Sequence, residues 1–179
     1  MTAFGFLLFG VGVAMSCVQT SATDYEAMFW PQVVRGAAIM FCILPSTRLA
    51  LGHIAKPAVP DASGLFNLMR NLGGAIGIAI IDTIIYTRAP IHARNLVDRL
   101  AAGDMETAAK TLGVPLDLVA RSLFDPAAQA AVRPLVEKMA LVEAINDAWA
   151  VVALMTLAVL VAVPLARTQP WRGERRAGA

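Results

Sequence analysis

Asn67, Asn71 and Asp82 are polar side chains embedded in an otherwise apolar stretch. At about 100° per residue they share one helical stripe with Gly74 and Ile78, Asn71 and Asp82 lying about 20° apart, with Arg70 to one side. Facing lipid, such groups are expensive, so they should face protein or water, where they would line a pathway or gate it. Upstream, Gln32, Arg35, Cys42 and Ser46 form a second stripe. Pro31 is expected at the helix start, where its missing N–H costs little, and Pro45 inside, where it should open the helix. Arg35 and Asp82 are each a few residues from the same end of adjacent antiparallel helices. They are expected to pair within about 8 Å, the screening length.

Other chemistry is poorly supported by the residues. Cys17 and Cys42 lie in apolar runs without metal-ligand spacing and read as small buried hydrophobes. His53 and His92 fall in loops on opposite sides, with no nucleophile–base pattern, so an enzyme is not expected and neither a metal nor a cofactor is implied. The run Gly73-Gly74-x-x-Gly77 follows no strand, which argues against a phosphate loop. Gly73 and Gly77 instead have the small-xxx-small spacing of helices in close contact, on the side opposite the polar stripe.

The elements that must carry these residues are membrane helices. The 179 residues are 58% hydrophobic and only 16% charged, with a mean hydropathy of +0.63, against roughly 45–50% apolar and 25% charged in soluble domains. A domain of this size leaves about a third of its unfolded surface in water, so the excess cannot be hidden in a core. The net charge of +2 is too small to suggest a nucleic-acid partner. The spacing of charges predicts an all-α integral membrane fold with four spans, at about 2–20, 29–52, 62–87 and 147–166. The uncharged run 148–166 has 19 residues, enough for about 28 Å. No Lys or Arg precedes the first apolar run, so a retained span is expected there rather than a cleaved signal peptide.

Arg167, Arg172, Arg175 and Arg176 against Glu174 put the 167–179 tail in the cytoplasm. Alternation then places His53 and Lys56 inside, and Asp24 and Glu26 outside. The 88–146 segment is expected outside, as two to four short amphipathic helices on the membrane face. Ile91, Leu96 and Leu100 recur there at helical spacing. Asp125-Pro126 reads as a helix start that could run into the last span, and Gly103, Gly113 and Pro115 as breaks. A lid or a docking surface is conceivable for this segment; a connector is the plainer reading.

The sequence Phe29-Trp30-Pro31-Gln32, then Arg35-Gly36 and Pro45, and above all the stretch from Asp61-Ala62-Ser63-Gly64-Leu65-Phe66-Asn67 through Leu68-Met69-Arg70-Asn71-Leu72-Gly73-Gly74-Ala75-Ile76-Gly77, resembles the major facilitator superfamily. The match is to fourteen-span EmrB/QacA-type drug:proton antiporters near their C-terminus. The resemblance implies the last four spans of such a transporter, a partial C-terminal half of a major facilitator fold. It implies export of amphipathic or cationic compounds by proton antiport in the inner (plasma) membrane. The expected partners are the missing N-terminal spans, the lipid bilayer, drug-like molecules with protons, and a periplasmic adaptor protein. It also implies that the second span lines the cavity with Gln32 and Arg35, and that the third gates it with Asn67, Asn71 and the Gly73/Gly77 face. The first and last spans would be lipid-facing supports. Asp82 is not expected from the family at its position. With the first-half spans absent, the chain alone should not transport, since alternating access needs two halves. A small four-span scaffold or assembly protein is the alternative.

Overall fold

The computed structural model describes residues 2–20, 22–52 and 54–162; His53 and the basic 163–179 tail lie outside the described residues. Every regular element among the described residues is helical. In chain order these are α1 (Thr2–Ala14), α2 (Tyr25–Leu51), a single 3-10 turn at Lys56–Ala58, α3 (Val59–Ala101), α4 (Met105–Leu112), α5 (Leu116–Ser122) and α6 (Pro126–Ala162).

Three helices, α2, α3 and α6, are long and apolar enough to cross a membrane. The first expected span is shorter. Its 13 helical residues reach about 20 Å, against a hydrocarbon thickness of about 30 Å. The chain leaves the helix after Ala14, and the Ser16 hydroxyl donates to the Gly12 carbonyl at 3.2 Å, taking up an acceptor of the last turn. The α2 helix begins earlier than expected, at Tyr25, so Pro31 is inside it rather than at its start. Both Pro31 and Pro45 therefore remove a backbone donor from the helix interior.

The 88–146 segment departs from expectation in one respect. It holds two short helices, α4 and α5, and α6 runs on from Pro126, both as expected, but α3 also continues into it without a break. The 43 residues of α3 extend about 65 Å, roughly twice the hydrocarbon thickness. The Asp125-Pro126 start is found as expected. The Ala127 amide donates to Asp125 Oδ1 at 2.9 Å, and Pro126 opens the helix that runs on to Ala162. Gly103 and Gly113 adopt left-handed φ values of 83° and 68°, ending α3 and α4 in conformations that a side chain resists. Together these devices fold α4 and α5 back onto the paired ends of α3 and α6.

This helical cap has its own core. Leu96, Leu112, Val132, Val136 and Met139 form one buried cluster, and Leu100, Ala108, Ala109 and Val119 a second. Element by element, α1 lies against both α2 and α6, and α6 against α3. Consecutive helices α2 and α3 hardly touch. The most apolar stretch of α3 has no buried residue at all.

Candidate functional site

Two turns of α6, from Glu143 to Trp149, tie the other long helices together. Asn146 holds the loop after α1 through both its amide groups. It accepts from the Gln19 backbone N–H at 3.1 Å and donates to the Gln19 carbonyl at 2.8 Å. A side-chain amide thus imitates a peptide and satisfies both polar groups of one loop residue.

One residue on, the cap end of α3 is fastened by charge. Arg88 Nε donates to Asp147 Oδ2 at 2.9 Å, and His92 Nε2 lies 2.7 Å from the same oxygen. The other ring nitrogen, His92 Nδ1, is 3.0 Å from Glu143 Oε2. Arg88 and His92 are one helical turn apart on α3, as are Glu143 and Asp147 on α6, so the four side chains stack as two facing pairs. Because the imidazole turns a different nitrogen to each carboxylate, the three groups do not converge on one point. Among the described residues no His/Cys/Asp/Glu group is arranged to hold a metal ion.

The third tie reaches α2. The Arg35 guanidinium carbon sits 4.3 Å from the centroid of the Trp149 ring, a cation–π contact. Arg35 is only 8% exposed, and the path to Trp149 runs past Gly12 of α1. A Cβ at Gly12 would lie 2.7 Å from Arg35 Cγ and 3.1 Å from its backbone nitrogen. Gly5 plays a similar part seven residues earlier, where a Cβ would meet the Phe41 backbone at 2.7 Å. Phe4 and Phe41 close that contact edge to face, their centroids 5.8 Å apart.

These contacts revise two expectations. Arg35 does not pair with Asp82: no ion pair joins them among the described residues, and Arg35 stacks on Trp149 instead. The expectation assumed that sequential helices are neighbours, whereas α2 and α3 hardly touch. Nor do Gly73 and Gly77 make close helix contact within this chain. A Cβ at Gly73, Gly74 or Gly77 would meet nothing within 4 Å. The small-residue approach exists, but on Gly5 and Gly12.

The remaining candidates are exposed. Asn67, Arg70, Asn71 and Asp82 all lie on the uncovered part of α3. Gln32 lines a shallow cavity of about 450 Å³ with Tyr25, Met28, Phe29 and Val33. Sequence reasoning missed His92, Glu143, Asn146, Asp147, Trp149, Gly5 and Gly12. The signal for the charged ladder was present as Arg-x-x-x-His and Glu-x-x-x-Asp, basic and acidic pairs at helical spacing.

Among known proteins, a colistin resistance protein named EmrB from Acinetobacter baumannii is 29% identical over 152 residues, covering 77% of this chain and 30% of that protein. The multidrug export protein EmrB of Escherichia coli K12 is 32% identical over 75 residues, 42% of this chain and 15% of its own length. The fatty acid resistance protein FarB of Neisseria gonorrhoeae is 26% identical over 77 residues, 43% of this chain and 15% of that protein. The chain is therefore similar to EmrB-type multidrug export proteins over a part of their length, and spans less than a third of the relatives it matches. No family model and no solved structure matches it.

Proposed function

We propose that this chain forms the C-terminal helices of a membrane multidrug exporter that moves amphipathic or cationic compounds outward in exchange for protons. The observation that carries the reading is the similarity to multidrug export proteins, which extends over 77% of the chain. Three helices of spanning length agree with it. So does the exposure of Asn67, Asn71 and Asp82, since polar side chains on an apolar helix require protein or water beside them.

In this reading the bare stretch of α3 meets the spans that precede this region in the relatives. Gln32, Asn67, Arg70, Asn71 and Asp82 then border the substrate pathway, and Gly73 and Gly77 allow a neighbouring helix to approach closely. Arg35 serves the pathway indirectly, by holding α2 against α6. The exporter sits in the plasma membrane with its C-terminus in the cytoplasm. The helical cap projects on the opposite side, within reach of an adaptor protein.

The test is functional. The chain is expressed alone, and also joined to the first two-thirds of an EmrB relative, and proton-gradient-dependent efflux of a cationic dye is followed in everted vesicles. Efflux is expected only from the joined protein. Robust efflux by the chain alone would overturn the reading of it as part of a transporter.

A further inference from the structure

The ladder between α3 and α6 contains a proton count. A neutral imidazole carries one N–H and one lone pair. Here both ring nitrogens of His92 face carboxylate oxygens, at 2.7 Å from Asp147 and 3.0 Å from Glu143. With neutral His92 and both acids ionised, one nitrogen lone pair would point at an anionic oxygen. The arrangement becomes attractive on both sides when the cluster holds one additional proton, either on the imidazole or on one of the acids. Arg88 does not remove this requirement, because it binds the Asp147 oxygen already shared with Nε2 and leaves Glu143 unmatched.

We infer that His92, Glu143 and Asp147 form a proton-binding latch that fastens the cap end of α3 to α6. The groups facing the imidazole are Glu143 and Asp147 from α6, with Arg88 of its own helix on the same Asp147 oxygen. Among the described residues no ion pair reaches it from α1, α2, α4 or α5. The imidazole is four-fifths buried, so water does not readily replace a lost contact. The latch is closed while the cluster holds that proton, and it loosens when rising pH removes it and one of the two contacts turns repulsive. It lies where α3 enters the cap, so loosening it frees the paired helices at the base of the cap while the clusters around Leu96 and Val119 stay packed. The latch operates whether or not the chain carries a substrate.

Hydrogen–deuterium exchange on the full chain in lipid nanodiscs, at about pH 5.5 and about pH 8.5 and corrected for intrinsic exchange, reads this directly. Protection of the backbone around 86–94 and 141–149 is expected to fall about fivefold or more at the higher pH, while protection of 105–122 is retained. Glu143→Gln supplies an amide that can donate to the ring lone pair, so the contact no longer needs the extra proton; this variant should keep its protection at both pH values. His92→Gln should lose the pH dependence. Equal protection of the native chain at both pH values, or a fall that persists in Glu143→Gln, would overturn the latch. The Glu143→Gln comparison decides the matter even if His92→Gln does not fold.

Discussion

The cap and the apolar stretch of α3 belong to the same helix and have opposite relations to the rest of the chain. In the cap, Leu96 and Leu100 are buried against α4, α5 and α6. In the apolar stretch, Leu65, Leu68, Leu72, Ile76 and Ile78 are all at least half exposed. Water explains the first: an exposed apolar stripe beside solvent must be covered, and this chain supplies the cover. The second is a surface that only lipid or further helices can satisfy. The difference teaches that the cap has a buried core of its own within these residues, whereas the apolar stretch of α3 has none. In the proposed reading, Asn67, Asn71 and Asp82 on that stretch face protein or water rather than lipid.

The comparison can be broken most severely in the cap. Leu96→Ala removes a 3%-exposed anchor shared by α3, α4 and α6. It should cost about 3 kcal/mol by the usual range for such truncations, read as loss of exchange protection across 105–122. Leu72→Ala, the same change on the open stretch, should cost far less in the chain alone. A similar loss at both sites would erase the distinction between the regions.

Next in size is the approach of α1 to α2. Gly12→Val drives a side chain into Arg35 and should destabilise by about 2 kcal/mol, as overpacking does. Unfolding by denaturing detergent in mixed micelles measures it. Trp149→Leu removes the ring beneath Arg35 and should cost about 1 kcal/mol in the same assay. A smaller loss than that of Gly12→Val would place the Arg35 tie second to backbone approach.

The smallest effect is the sharpest for the open side. Gly77→Ala meets no atom within 4 Å, so in the chain alone it should stabilise slightly, by about 0.5 kcal/mol from helix propensity. Joined to the preceding spans of a relative, the same substitution should impair assembly if a helix packs there. Destabilisation of the chain alone would mean that the Gly73/Gly77 face is already occupied.

Much of this organisation was legible in the residues. The helix start at Asp125-Pro126 and the breaks at Gly103 and Gly113 follow from local chemistry: a capping carboxylate, a ring that fixes φ, and a left-handed turn that a Cβ opposes. Partner choice was not legible. Arg35 and Asp82 are opposite in charge and alike in apparent depth, yet the pair is not formed, because α2 and α3 hardly touch. Nor does the sequence pattern join His92 to its two carboxylates, which lie 51 and 55 residues further along the chain.

By itself the sequence determined the all-helical membrane character, three of the four spans it predicted and the polar stripe on α3. These depend on composition and on a period of 3.6 residues, and both are local. Only the tertiary structure decided that α1 packs against both α2 and α6, that Gly5 and Gly12 rather than Gly73 and Gly77 are the close contacts here, and that Glu143, Asn146, Asp147 and Trp149 gather three helices. Periodicity says which residues share a face of one helix. It carries no information about which neighbour that face will meet, and that choice depends on the packing of all the helices together.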